Sequence, residues 1–253
     1  MEQKTVMITG ASSGFGAACA EIFSQNGYRI ILNARRKDKL IELSEKLKQQ
    51  NNTDSLILNF DVRDKASVYE AAASLPENWQ KIDILINNAG LAAGREYFHE
   101  ADLDDWENMI QTNVLGLLYV SRAFLPYIMK GDQKHVINIG SVAAKEVYER
   151  GNVYCASKAA VDSISKSMRI DLLKHAVKVT AIHPGAAETE FSLVRLKGDI
   201  EKANAVYEGY NALQAADVAN VIYYTTTLPA HVCINDLVIT CTAQANAFYT
   251  HKS

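Results

Sequence analysis

The sequence predicts an α/β protein that forms a single doubly wound domain around a seven-stranded parallel sheet. Two observations indicate this class: short apolar runs alternate with longer helical patterns, and those runs are apolar on both faces. Strands of that kind belong to parallel sheets that helices cover on both sides. The chain has 253 residues, of which 48% are hydrophobic, and this is enough for one sizeable core.

The apolar runs and the patterns between them give the elements in order. The strands are predicted at 4–9, 28–34, 55–60, 83–88, 135–140, 178–183 and 237–241. The helices are predicted at 14–26, 37–50, 64–73, 104–129, 152–174 and 215–227. A long insertion after Pro184 delays the last strand, and such an insertion at the carboxyl edge of a sheet is a candidate lid. We therefore predict a single domain over 1–253, with a lid around 185–212 and a C-terminal tail over 242–253.

Charge and composition argue against several classes of partner. The net charge is −3 and no long Lys/Arg tract occurs, so neither nucleic acid nor a membrane is a predicted partner. The N-terminus enters a strand-like run without the features of a signal peptide, and the most apolar helix contains charged and proline residues, so a cytoplasmic protein is predicted. The four cysteines and six histidines show no metal-ligand spacing, and no metal site is predicted.

A glycine-rich turn, "TGASSGFG" at 9–16, follows the first strand and opens the first helix. Small residues at such a turn let the backbone approach a pyrophosphate, and the helix N-terminus offers free N–H groups and a positive dipole end. The strand–turn–helix context favours dinucleotide binding over a merely tight turn.

Tyr154 and Lys158 lie four residues apart in "GNVYCASKAAV". On a helix they share one face, so the ammonium group is expected to lower the pKa of the phenol and make Tyr154 a usable proton donor and acceptor. Alone, the pattern also fits an amphipathic helix whose tyrosine packs and whose lysine is solvated.

Five spaced motifs together make the chain resemble the short-chain dehydrogenase/reductase family. These are "TGASSGFG", Asp61 in "FDV", "NNAG" at 87–90, the set Asn113, Ser141, Tyr154 and Lys158, and "PG" at 184–185 with Thr189 beyond it. The resemblance spans residues 9 to 189. It implies a Rossmann-type sheet in the order 3-2-1-4-5-6-7.

The resemblance also implies the roles of particular residues. The catalytic residues would be Asn113, Ser141, Tyr154 and Lys158, with Tyr154 as proton donor, Ser141 polarising the carbonyl, Lys158 holding the nicotinamide ribose, and Asn113 anchoring a water. The cofactor-binding residues would be Thr9, Gly10, Ser12, Ser13, Gly14, Phe15, Gly16, Arg35, Arg36, Asp61, Val62, Asn88, Ala89, Gly90, Tyr154, Lys158, Pro184, Gly185 and Thr189. Asp61 would hold the adenine amino group.

The end of the second strand distinguishes between the two nicotinamide cofactors. In a dinucleotide fold, an acidic residue there binds the ribose 2′-hydroxyl, whereas an arginine accommodates a 2′-phosphate. This chain has Ala34 at the acidic position, followed by Arg35 and Arg36. Two guanidinium groups and no carboxylate favour NADP(H), although both arginines could also belong to the solvated charge run "RRKDK".

Three further segments, 82–92, 190–199 and 227–235, are similar to NADP-dependent 3-hydroxy-acid dehydrogenases and to related sulfoacetaldehyde reductases. Their substrates pair a small carbonyl or alcohol with an acid group, so a cation is expected in the site. The predicted substrate-binding residues are Ser141, Tyr148, Arg150, Tyr154 and Arg195. Arg150 departs from the 3-hydroxy-acid pattern; it could serve a sulfonate, or it could simply pair with Glu149 or Glu146.

The favoured interpretation is an NADPH-dependent reductase of a small acid-bearing aldehyde, with sulfoacetaldehyde as substrate and isethionate as product. The alternatives are a 3-hydroxy-acid dehydrogenase or malonic semialdehyde reductase, acting on serine, allo-threonine or 3-hydroxypropionate, and a non-catalytic NADP-binding regulator. The resemblance also implies a homotetramer or homodimer, formed by pairing of the helices near 104–129 and 152–174.

Overall fold

The computed structural model describes residues 3–253, so Met1 and Glu2 of the predicted domain lie outside the described residues. The strands are β1 (Thr5–Thr9), β2 (Arg29–Asn33), β3 (Ser55–Leu58), β4 (Ile84–Asn87), β5 (His135–Ile139), β6 (Lys178–Pro184), β7 (Ala187–Glu188), β8 (Leu213–Gln214) and β9 (Asp236–Ile239). The helices are α1 (Gly14–Gln25), α2 (Lys37–Asn51), α3 (Lys65–Ala73), α4 (Leu103–Ile110), α5 (Leu117–Ile128), α6 (Asn152–Asp171), α7 (Phe191–Arg195), α8 (Ile200–Ala205) and α9 (Ala215–Thr227).

The sheet has seven parallel strands in the order β3-β2-β1-β4-β5-β6-β9. The predicted class, strand number and order are therefore confirmed, since β9 is the seventh strand of this sheet along the chain. The order reverses beside β1, which pairs with β2 on one side and β4 on the other. A crevice opens at such a reversal, beyond the carboxyl ends of the strands, and ligands of doubly wound folds bind there.

Two apolar clusters cover the two faces of the sheet. Successive side chains of a strand point to opposite faces, and in β1 Val6 and Ile8 join one cluster while Met7 joins the other. Residues of α1, α2 and α9 build the first cluster, and residues of α3 and α5 build the second. Full burial of every residue of β1 explains why this strand is apolar without alternation.

The predicted helix at 104–129 differs from the structure in one respect. A π-helical segment, Gln111–Gly116, separates α4 from α5 and contains Asn113. One extra residue per turn changes the direction of the side chains, and π-bulges of this kind are frequent at functional sites. A pattern read at the α-helical period has no means of showing this insertion.

The chain after β6 forms the segment that the sequence predicts as a lid. It contains α7, α8 and the short parallel pair β7–β8. The Tyr207 hydroxyl donates to the Ala187 carbonyl at 2.8 Å and lies 2.6 Å from the Ser192 hydroxyl. These contacts connect the end of the segment with β7 and α7 at its start. The C-terminal tail folds back on this segment, where the Ser253 amide donates to the Gly209 carbonyl at 2.9 Å. No helix among residues 3–253 combines the length and the hydrophobicity needed to cross a bilayer.

Candidate active site

A large cleft of about 1370 Å³ opens at the carboxyl ends of the strands. Nearly all of the predicted site residues line it, from the glycine-rich turn, the ends of β2 and β4, the loop after β5, helix α6 and the lid segment. Only three of them do not line it: Thr9, Gly16 and Asn113. Thr9 and Asn113 lie behind the cleft wall and form hydrogen bonds with it, and Gly16 packs against Gly10.

The glycine-rich turn packs directly against the end of β4. The Thr9 hydroxyl accepts hydrogen bonds from the Asn88 and Ala89 amides, each at 3.0 Å, and the Asn88 side chain donates to the Thr9 carbonyl at 2.9 Å. Gly10 has a φ of +66°, and a Cβ atom on Gly16 would overlap the Gly10 carbonyl. The turn therefore admits no side chain at either glycine, and its backbone stays open to a pyrophosphate.

The two arginines after β2 lie at the rim of the cleft beside this turn. Arg36 donates to the Ser13 hydroxyl at 2.9 Å and to the Ser12 hydroxyl at 3.2 Å, and it forms an ion pair with Glu190 of the lid segment at 3.0 Å. The Arg35 side chain is 63% exposed and lies 3.9 Å from Asp61. Two guanidinium groups and two serine hydroxyls thus line this part of the cleft, and groups of this kind suit a phosphate.

Asp61 has a partner that the sequence analysis did not identify. Arg63 binds it in a bidentate manner, with Nε 3.1 Å from Oδ1 and Nη2 2.6 Å from Oδ2, and the Arg63 amide also donates to Oδ1. Burial raises the pKa of Asp61, but these bonds outweigh it and hold the pKa below its usual value. A carboxylate that is ionised and oriented in this way is suited to accept a hydrogen bond from an amino group. The spacing of Asp61 and Arg63, two residues apart in the sequence, was the feature from which this ion pair could have been predicted.

Asn113 links three parts of the site from within the π-helical segment. Its side-chain oxygen accepts from the Leu91 amide at 2.9 Å, and its nitrogen donates to the Leu91 carbonyl at 2.8 Å and to the Ser157 hydroxyl at 3.0 Å. It therefore connects the loop after β4 to helix α6, next to Lys158. The chain brings the four predicted catalytic residues to one end of the cleft, although Asn113 itself is buried behind it.

Lys158 and Tyr154 are both buried on the inner face of α6. The Lys158 ammonium donates to the Ile139 carbonyl at 2.9 Å, and burial lowers its pKa to about 8. The Tyr154 hydroxyl faces the Ser141 side chain, which acts to lower the pKa of the phenol. Helical spacing places the two residues on one face, as the sequence predicts.

The predicted direction of the Tyr154 pKa is wrong in this structure. Burial raises the pKa of Tyr154 above its usual value, and the nearby Tyr148 raises it further. The Ser141 side chain and the Arg195 charge lower it, but they do not outweigh burial. Removal of the phenol from water destabilises its ionised form by more than the neighbouring groups stabilise it. The phenol is therefore protonated across the neutral range, which suits a proton donor.

Arg195 of α7 reaches across the cleft toward the tyrosines. Its guanidinium donates to the Tyr148 hydroxyl at 2.9 Å and lies 5.4 Å from the centroid of the Tyr154 ring. It also donates to the carbonyls of Gly94 and Arg150. Among the described residues, all of its hydrogen-bond partners are neutral oxygens, so its charge is not compensated by a carboxylate at hydrogen-bond distance.

Arg150 also lines the cleft but is engaged differently. Its guanidinium lies over the Tyr97 ring, 4.1 Å from the centroid, and its φ is +61°. The Tyr97 hydroxyl donates to Glu149 at 3.0 Å. The pairing with Glu149 or Glu146 considered for Arg150 is therefore not the contact formed among the described residues; the guanidinium stacks on an aromatic ring instead.

The fold and the site geometry agree with the comparisons with known proteins. A family model described as short chain dehydrogenase matches residues 4–197. The chain is 46% identical to an NADP-dependent 3-hydroxy acid dehydrogenase of Salmonella typhi, over 91% of this chain and 92% of that protein. It is 44% identical to sulfoacetaldehyde reductase 2 of Chromohalobacter salexigens, over 95% of each chain. It also superimposes on the closed form of a serine dehydrogenase complexed with NADP⁺, with a TM-score of 0.90, 44% identity, and coverage of 98% of this chain and 100% of that chain. On these matches, the chain belongs to the short-chain dehydrogenase/reductase family.

Proposed function

We propose that this enzyme is an NADPH-dependent reductase of a small aldehyde that carries an acid group, with sulfoacetaldehyde as the favoured substrate. One observation supports this substrate class. The Arg195 guanidinium lies beside the Tyr154 ring, and its hydrogen-bond partners among the described residues are all neutral oxygens. A cation in a partly buried position needs an anion, and a carboxylate or sulfonate of the substrate supplies one.

Membership of the family and the similarity to NADP-dependent relatives support an oxidoreductase and disfavour the regulator considered above. The residues present also fit the predicted cofactor, NADP(H). The side-chain-free turn at Gly10 and Gly16 suits the pyrophosphate, and Arg35 and Arg36 with the two serines suit the 2′-phosphate. When bound, the nicotinamide would supply the hydride for reduction.

The side chains of this protein would then perform the rest of the reaction. Ser141 and Tyr154 would hold the carbonyl oxygen of the substrate, and Tyr154 would donate a proton to the oxygen as it becomes an alcohol. Lys158 would hold the ribose of the cofactor, with its position set by the Ile139 carbonyl. Arg195 would bind the acid group and so fix the distance between that group and the reacting carbon.

The buried Tyr154 predicts different pH dependences for the two directions of the reaction. A raised pKa keeps the phenol protonated as the pH rises through the neutral range. Aldehyde reduction, which needs the phenol, should therefore show no loss from Tyr154 over that range. Alcohol oxidation needs the phenolate, and its kcat/KM should increase with pH. Initial rates in both directions across pH would check this; an oxidation rate that is constant through the neutral and alkaline range would contradict it.

Arg35→Ala should weaken the binding of NADPH far more than that of NADH, because only NADPH carries the 2′-phosphate. Loss of a charge-assisted hydrogen bond should cost about 1.5–3 kcal/mol. Fluorescence titration with both cofactors measures this. Lys37→Ala is the matched control, since it removes a nearby positive charge that does not line the cleft. An equal loss for both cofactors in Arg35→Ala would remove Arg35 from this role.

Arg150→Gly tests whether the enzyme prefers a sulfonate substrate or a carboxylate substrate. A sulfonate presents three oxygens, so a second guanidinium at the cleft should favour it more than it favours a carboxylate. We expect kcat/KM to fall about tenfold more for sulfoacetaldehyde than for malonic semialdehyde, which corresponds to the loss of one charge-assisted hydrogen bond. Glycine tolerates the positive φ at this position, so the backbone should be unaffected. An equal change for both substrates would show that Arg150 does not bind the sulfonate and only contacts Tyr97.

The second candidate is a 3-hydroxy-acid dehydrogenase or malonic semialdehyde reductase. The 46% identity to the Salmonella enzyme and the structural match to a serine dehydrogenase favour it. The same Arg195 would then bind a carboxylate. The predicted tetramer or dimer remains a prediction for either substrate, and so does location in the cytoplasm.

A further inference from the structure

Four charged or polar side chains form a cluster behind Ser141, and none of them lines the cleft. They are Lys145, Asp162, His183 and Asp236. They come from four separate parts of the fold: the loop after β5, helix α6, strand β6 and strand β9. We call them the Lys145 cluster.

Lys145 holds the two carboxylates of the cluster together. Its ammonium is 3.0 Å from Asp162 and 2.5 Å from Asp236. Two carboxylates and an imidazole within 4.8 Å of one another could also hold a metal ion. However, the lysine already forms an ion pair with both carboxylates and provides the cation, so these side chains are arranged around an ammonium group.

His183 connects the cluster to Ser141. The ring is fully buried, and its Nδ1 atom is 3.2 Å from the Ser141 carbonyl. A carbonyl oxygen only accepts, so Nδ1 must carry the proton and donate. The Nε2 atom has no hydrogen-bond partner among the described residues, and it faces Asp162 at 3.6 Å and Asp236 at 3.4 Å. A Cβ atom on Gly140 would overlap this ring, which explains the glycine before Ser141.

The cluster holds both ends of the turn that carries Ser141. Ser141 caps a short 3₁₀ helix, Val142–Ala144, and Lys145 ends it. His183 holds the first end through the Ser141 carbonyl, and the carboxylates hold the second end through Lys145. Asp162 lies one helical turn beyond Lys158 on α6, the helix that also carries Tyr154. The turn is therefore fixed to the same helix as the proposed proton donor.

We propose that Lys145 and His183 are positioning residues that set the Ser141 hydroxyl relative to Tyr154 during reduction. Neither residue contacts the substrate; each acts through the backbone of the Ser141 turn. This inference rests on the proposed roles of Ser141 and Tyr154 in the reaction. Loss of either restraint would let the turn shift, and a small displacement of a positioning group can reduce turnover strongly.

Lys145→Met tests the first restraint, with Lys166→Met as the matched control. Both lysines form ion pairs with Asp162, Lys166 at 2.8 Å, but only Lys145 belongs to the Ser141 turn. We expect Lys145→Met to reduce kcat by about ten- to a hundredfold while the Kd for NADPH stays unchanged. Lys166→Met should leave kcat unchanged. An equal effect of the two variants on kcat, or a parallel loss of NADPH affinity in Lys145→Met, would overturn the proposal.

A pair of substitutions at His183 tests the second restraint. An asparagine amide can occupy the place of Nδ1 and still donate to the Ser141 carbonyl, whereas a glutamine amide occupies the place of Nε2. We expect His183→Asn to retain most of the wild-type kcat and His183→Gln to lose about tenfold or more. If Asn and Gln reduce kcat equally, the bond to Ser141 has no positioning role.

Tyr154→Phe, measured in the same assay, separates this inference from the proposed function. If Tyr154→Phe abolishes turnover but Lys145→Met does not change it, only the positioning role fails. If Tyr154→Phe retains wild-type turnover, the proposed catalytic assignment itself fails.

Discussion

Tyr154→Phe is expected to reduce turnover by about two to four orders of magnitude, the usual scale for loss of a general acid. The Tyr154 hydroxyl faces the Ser141 side chain, and burial raises its pKa so that it stays protonated. Phenylalanine keeps the ring and its packing against Phe191, 5.7 Å away, so the fold and the cofactor site should be preserved. Single-turnover reduction with bound NADPH measures the chemical step directly.

Tyr148→Phe is the matched control for this prediction. It also removes one hydroxyl from the cleft, but that hydroxyl accepts a hydrogen bond from Arg195 and is not bonded to Ser141. We expect a much smaller loss of turnover than in Tyr154→Phe, and a nearly unchanged Kd for NADPH in both variants. Near-wild-type turnover in Tyr154→Phe would show that another group donates the proton.

Arg195→Ala should lower kcat/KM for an acid-bearing aldehyde by about one to two orders of magnitude, the cost of one lost charge-assisted interaction. The loss should appear mainly in KM, because the guanidinium binds a part of the substrate that does not react. Propanal, which has a similar length and no charge, should be reduced at nearly the same kcat/KM by the variant and the wild type. Steady-state NADPH oxidation with both aldehydes measures the difference.

Lys197→Ala is the control for charge in the lid segment. Lys197 also lines the cleft, but its ammonium forms an ion pair with Asp105 at 2.7 Å, so it has no need of a substrate anion. Lys197→Ala should therefore leave the wild-type preference for the charged aldehyde over propanal unchanged. If Arg195→Ala reduces kcat/KM for propanal as much as for the anion, Arg195 maintains the shape of the cleft and the proposed anion site is wrong.

The sheet was predictable from the sequence because its strands are buried on both faces and bounded by clear helical patterns. The π-helical segment that contains Asn113 was not predictable from the sequence. Asn113 forms its hydrogen bonds there with the backbone of Leu91, which is distant in sequence. Polar contacts between segments were missed for the same reason. Glu190, for example, meets Arg36 only because the lid segment folds over the glycine-rich turn.

The Tyr154 pKa shows where reasoning from spacing fails. The i, i+4 pattern gives the relative position of Tyr154 and Lys158 but not the degree to which each is removed from water. In the structure, both side chains are buried, and desolvation raises the pKa of the phenol while it lowers that of the ammonium. Both shifts follow from the surrounding fold, which a local sequence pattern does not contain.

The most direct test of the proposed function is kcat/KM of the wild-type enzyme with NADPH for sulfoacetaldehyde, malonic semialdehyde and propanal. The proposal predicts that both anionic aldehydes exceed propanal by at least about tenfold, and that sulfoacetaldehyde is the better of the two. A wide margin in favour of malonic semialdehyde would replace the sulfonate with the 3-hydroxy-acid assignment. Equal values for all three aldehydes would contradict the central claim, that Arg195 selects a substrate by its acid group.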